Sequence, residues 1–225
     1  MAILSMLVET VARVEALDPA AVALIAREVR QAGLIKTGGR GNSAARMDFE
    51  DATNLLIAVN TARTIREAPL MVAKFRALQA WDNDLYEFLR PELRQKSKPP
   101  KLVGDLGQAL EDLLKAVAGS TLPSRIPAFR RLLQDPLASR RVTLKLSFFQ
   151  PNFRAALNID SFEPNALSSS SLTVLDSAST SKAVSLWFQQ PKPRKPNETI
   201  AGDRTESTSV GFATIQAIAQ LLKTG

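Results

Sequence analysis

The chain has 225 residues, which is one large domain or two small ones. It is 45% hydrophobic and 23% charged, so it can bury a core, and 29 basic against 22 acidic side chains give a formal charge of +7 that favours a polyanionic partner. It contains no Cys and no His, which excludes disulfides, thiol nucleophiles, Cys- or His-ligated zinc and Ser-His-Asp triads.

The first stretch, "MAILSMLVETVARVEAL", has no basic flank before its apolar part and is interrupted by Glu9, so it does not read as a secretory signal. No apolar run reaches the length of a membrane span. A cytoplasmic protein without membrane association is expected. Spacing predicts a helix from Leu4 to Leu17 with Leu7, Val11, Val14 and Leu17 on one face. Asp18 and Pro19 then mark the start of a second helix, since Asp accepts free backbone N–H groups and Pro suits the first helical position. That helix is predicted over Pro19 to Ala32, with Val22, Ile25, Ala26 and Val29 inward and Gly33 as a left-handed cap. The turn-rich "KTGGRGNSAARM" follows. Asp48 opens a third helix, "DFEDATNLLIAVN", with Ala52, Leu55, Leu56 and Val59 inward and Glu50 and Asp51 at the positive end of its dipole. Further helices are predicted near 63–80, 82–90 and 105–118.

The segment "RPELRQKSKPPKLVGDLGQAL" has the chemistry of a linker. Beyond it the texture changes. "RVTLKLSFF", "FRAALNID" and "AVSLWFQ" alternate apolar and polar residues with period two, the mark of a half-buried antiparallel sheet. Pro151-Asn152 reads as the turn between the first two, and "PKPRKPNETIAGD" as a long connection. In "GFATIQAIAQLLK", Phe212, Ile215, Ile218 and Leu222 form a helical stripe that is expected to cover the sheet. The fold class expected is α+β, with three parts: residues 1–65, a helical connecting region 66–120 with its basic linker, and a strand-rich part 121–225 ending in a helix.

Charge is concentrated between residues 27 and 46. Arg27, Arg30, Lys36, Arg40 and Arg46 face a single acidic residue there, Glu28, while the flanking helices are near neutral or acidic. Helix, tight turn, helix, basic glycine-containing loop and helix is the order a helix-turn-helix module requires, and Gly38, Gly39 and Gly41 would let the loop lie against a phosphate backbone. The bland alternatives are a solvated helix face for Arg27 and Arg30 and a merely flexible loop for "TGGRG".

The stretch "IAREVRQAGLIKTGGRGNSAARMDFEDATNLL" resembles the winged helix-turn-helix of MerR-type regulators. Gly33-Leu34-Ile35 matches the stop of the second helix, Thr37 to Met47 the wing, and Asp48 the opener of the next helix. The family's frequent tyrosine pair is missing, and its effector-binding part is unmatched. The same phrasing also looks like phage and prophage proteins with an N-terminal winged helix. The resemblance implies a sequence-specific regulator acting as a homodimer on double-stranded DNA, associated with the nucleoid, with Arg27, Arg30, Lys36, Arg40 and Arg46 as DNA-binding residues.

Other readings stay open. The chain could be a phage assembly or DNA-packaging accessory protein, or an adaptor that binds a protein through its C-terminal half. The basic clusters at Arg90 to Lys101, at Arg125, Arg130 and Arg131, and at Arg140 and Arg141 read as linker or as backbone-contact surface. Trp81 and Tyr86 read as helical core. Trp187 lies on the strand face opposite Val184, Leu186 and Phe188, beside Phe149, and marks either an interaction surface or a face covered by a helix. The acidic pairs Asp82/Asp84 and Glu111/Asp112 are too closely spaced to share a helix face, and no phosphate-loop motif is present, so an enzyme, a metal or a cofactor is not expected.

Overall fold

The computed structural model describes residues 2–39, 44–80, 104–119, 141–151, 153–162, 182–189 and 206–224. The chain is α+β. Helices α1 (Leu4–Val14), α2 (Pro19–Gln31) and α3 (Phe49–Thr61) come first, then a short 3₁₀ turn (Ile65–Glu67) and α4 (Ala68–Arg76). Strand β1 (Gln79–Ala80), helix α5 (Leu106–Val117), strands β2 (Arg141–Gln150), β3 (Arg154–Phe162), β4 (Lys182–Gln189) and β5 (Glu206–Gly211), and helix α6 (Phe212–Thr224) complete it. No described helix is long and apolar enough to cross a membrane.

The sheet has five antiparallel strands in the order β1-β4-β3-β2-β5. The register aligns Leu146 with Leu157 and Leu186, and Phe148 with Ala155 and Phe188. Leu146, Leu157, Phe148, Ala155 and Phe188 are all buried, so the apolar set of the period-two pattern does face the core. The register pairs Trp187 with Ala156. Two strands were not expected. β1 lies in the helical half and pairs with β4. β5, "ESTSVG", pairs with β2 and buries only Val210.

The helices form the second layer. Phe75 of α4 meets Phe148 edge to face at 5.5 Å and Phe153 at 5.6 Å, joining the layers through rings that together bury several hundred square ångströms. The Lys74 ammonium sits 4.5 Å over the Phe153 ring. α3 is buried without a break from Asp51 to Ala58 rather than along one stripe, because α2, α4, α5 and β5 pack around it. The 63–80 helix is shorter than expected and gives way to β1, while α5 falls within the expected 105–118. Its start is capped by Asp105, which accepts the Gln108 N–H at 2.8 Å. The Leu106 N–H donates to Leu78 O at 2.9 Å. Residues 82–90 lie outside the described residues.

Packing crosses the boundary expected near residue 65. One continuous core contains Leu7 of α1, Leu55 of α3, Phe75 of α4, Leu110 of α5, Leu146 of β2 and Ile218 of α6. α4 and α5 cover α3 together with α2. α6 packs on α1 and α5 as well as against β5 and β2.

Candidate nucleic-acid interface

The first helix buries Leu7, Val8, Val11 and Ala12 against its neighbours. It stops at Val14, earlier than its apolar spacing suggests. Ala16 takes a left-handed φ of 53°, and the Leu17 N–H donates to Ala12 O at 2.8 Å. This reversal swings Leu17 out of the apolar row, and it is 42% exposed. Asp18 then caps α2 by accepting the Ala20 and Ala21 N–H groups at 3.2 and 3.1 Å, with Pro19 at the first turn. Val22, Ala26 and Val29 face inward. Gly33, at φ 76°, donates to Arg30 O at 3.0 Å, and the Leu34 N–H reaches Val29 O at 3.1 Å. That paired closure satisfies the last carbonyls of α2 and turns Ile35 into the core.

A buried carboxylate fixes the chain that leaves α2. Asp51, 2% exposed, accepts the Lys36 N–H and the Asp48 N–H, both at 2.9 Å. Asp48 reciprocates as the N-cap of α3, accepting the Glu50 and Asp51 N–H groups. The Lys36 ammonium is hydrogen-bonded to the Asp48 carboxylate and lies 3.9 Å from Asp51 Oδ2. Its pKa is raised by that bond to Asp48. Burial works against ionisation of Asp48, but Lys36 and the Asp51 N–H outweigh it and hold the carboxyl below its usual value. Burial pushes Asp51 up. Asn54, one turn further along α3, donates to Leu34 O at 2.5 Å and accepts from Arg76 Nη1 at 2.7 Å. Arg76 also holds Glu111 at 2.6 Å across Gly107, where a Cβ would come within 2.8 Å of Arg76 Nε.

The loop between α2 and α3 closes on itself at its base. A Cβ at Gly38 would fall on the backbone nitrogen of Ala45, so the two limbs touch there. The Met47 N–H donates to Ala2 O at 3.0 Å, which ties the returning limb to the start of the chain. The limbs 36–39 and 44–47 form no β-ladder among the described residues.

Of the five expected DNA-binding residues, Arg27 and Arg30 are exposed on α2, one turn apart, and Arg46 is exposed on the returning limb. None of the three forms an ion pair among the described residues. Lys36 is committed to Asp48 and lies at the loop's stem. Arg40 lies outside the described residues, as do the clusters at 90–101, 125–131 and 192–195 and the aromatics Trp81 and Tyr86. A groove of about 500 Å³ runs along the seam of α1 and α2. Leu4, Val8 and Ala26 line it, with Arg27, Arg30 and Glu9 among the polar residues. Three features escaped sequence reasoning. Asp51 was visible only as a dipole-matching acid, although its spacing of three from Asp48 is a capping-box signal. Asn54 carried no signal. The exposed Leu24, at 47%, sits where a helical wheel leaves it on the solvent face, and that position was readable.

Comparison of the chain with protein-family models, with curated proteins and with solved structures gives no match in any of the three.

Proposed function

We propose that this chain is a sequence-specific duplex-DNA-binding protein of regulatory type, acting as a dimer, with α1, α2 and the loop to α3 as its DNA-facing module. The observation that carries the reading is the pair Arg27 and Arg30, exposed on one face of α2 without acidic partners among the described residues. Arg46 adds a third such cation on the loop that follows α2, whose stem is held by Asp51. Guanidinium groups are suited to both phosphate and guanine edges. The regulatory, phage-type setting rests on the resemblance of residues Ile25 to Leu56.

α2 carries the reading arginines in its second half, at the edge of its seam with α1. The loop supplies phosphate contacts through Arg40 and Arg46. Lys36 holds the stem. The test is duplex binding by the full chain across a salt series. Two arginine–phosphate contacts per protomer, from Arg40 and Arg46, would give a slope of log K against log salt of about −2, doubled in a dimer. A flat titration overturns the reading. Sedimentation in the tens-of-micromolar range tests the dimer, and a species of only 24.5 kDa would overturn that part.

A further inference from the structure

The exposed face of α2 changes chemistry along its length. In its first two turns Ala20, Ala23 and Leu24 are exposed and offer only methyl and isobutyl groups; in its last two turns Arg27, Arg30 and Gln31 follow on the same side. These six positions fall within one wide helical sector at 100° per residue. Val22, Ala26 and Val29, on the other side, are buried. This apolar half is the near part of the surface whose far part carries Arg27 and Arg30, which form no ion pair among the described residues.

We infer that α2 reads thymine methyl groups through Leu24, with Ala20 and Ala23 flanking it, next to guanines read by Arg27 or Arg30. The inference rests on the DNA-binding reading above. The charge on the same face selects the occupant: Arg27 and Arg30 favour a polyanion whose groove also displays apolar groups. In the major groove the thymine C5 methyl is the one apolar feature, and guanine O6 and N7 accept a guanidinium fork. Leu24 and Arg27 are three residues apart, about 4.5 Å along the helix axis, against about 3.4 Å per base step. Thymine and guanine should therefore fall on adjacent or next-but-one steps of the half-site. The first half of α2 offers no side-chain hydrogen bond, so specificity there is for the methyl and against cytosine.

The experiment starts from binding sites selected by the full chain out of random duplexes. Thymines of the selected half-site are then replaced by deoxyuridine, which removes the methyl and leaves base pairing intact. Wild type should lose about fourfold in affinity for the methyl that Leu24 covers, the value of one buried methylene-sized group. Leu24→Ala should be nearly indifferent to that replacement and keep its salt slope. Leu24 is exposed, so this variant keeps the fold. Equal binding of thymine and uracil sites by wild type overturns the inference and leaves DNA binding standing. No binding to any duplex at low salt overturns both. If Leu24→Ala instead abolishes self-association seen by sedimentation while DNA affinity is unchanged, the face is a protein contact and the inference fails.

Discussion

Arg30, Arg46 and Lys36 are all basic, yet their surroundings give them different work. Arg30 points outward from a helix face, and Arg30→Ala should cost specific binding more than general affinity, by about 1–3 kcal/mol of discrimination. Arg46→Ala should lower specific and non-specific binding together and reduce the salt slope by about one. Competition titrations against a scrambled duplex separate the two, after circular dichroism has shown both variants folded. Lys36 already has its counter-ion in Asp48, so its removal should leave the salt slope unchanged and loosen the stem instead. The pair also has a pH signature. Asp48, held below its usual value, contributes stability that is present above 3.8 and lost as pH falls below it. Asp51, pushed up by burial, has the opposite sign: its contribution is greatest below 3.8 and is lost as pH rises through its folded value. Asp48→Asn should therefore differ most from wild type at neutral pH, with the gap closing below 3.8. Urea denaturation at both ends of that range checks it, and a gap independent of pH would remove the Lys36–Asp48 bond as its source.

At the scale of elements, Gly33 and Gly38 meet different physical needs within one loop region: the first takes a left-handed φ of 76°, and the second makes room for Ala45. Gly38→Ala must part the two limbs and should cost about 1–3 kcal/mol, as overpacking does. The same change should weaken DNA binding without regard to sequence, because it moves Arg46 and leaves α2 in place. Thermal melting and a titration with unrelated duplex read the two effects. Asp18→Ala, in contrast, should cost about 1 kcal/mol through the lost cap of α2. These local devices were readable in the sequence because caps and positive-φ turns are written in single residues: Asp18, Pro19, Gly33 and Asp48 each stand where the structure uses them. Three long strands were readable for a similar reason, through period two. β5 was not, because Ser207, Thr208 and Ser209 show no apolar alternation and owe their strand to pairing with β2. Leu17 misled because its spacing fitted α1, while the chain reversal at Ala16 depends on how α1 and α2 pack.

Across the whole molecule, the two layers share Phe75. Phe75→Ala removes a fully buried ring that touches both Phe148 and Phe153 and should cost about 3–5 kcal/mol. The loss should speed amide exchange in α2 and in β3 together, since one core joins the elements around them. Exchange that quickens in β3 alone would show two independent units. Charge clustering singled out Arg27, Arg30 and Arg46 in the sequence, and the structure leaves all three exposed, but the sharing of α3 among α2, α4, α5 and β5 is a tertiary fact with no local trace beyond the apolar run from Leu55 to Val59. A fragment of residues 1–65 would leave Leu55, Leu56 and Ile57 without much of their cover, so it should show little helix by circular dichroism.

The contact of α6 with α1 also sets an order of events during synthesis. Thr214 Oγ1 donates to Glu15 Oε1 at 2.5 Å, and α6 lies on α1 along its packed face. Domains generally fold as units while the chain emerges from the ribosome, starting at the N-terminus. Here α1 waits for α6. Nascent chains stalled before residue 212 would carry α1 without α6, and the module proposed to face DNA would be complete only after the ribosome has released the segment that braces α1.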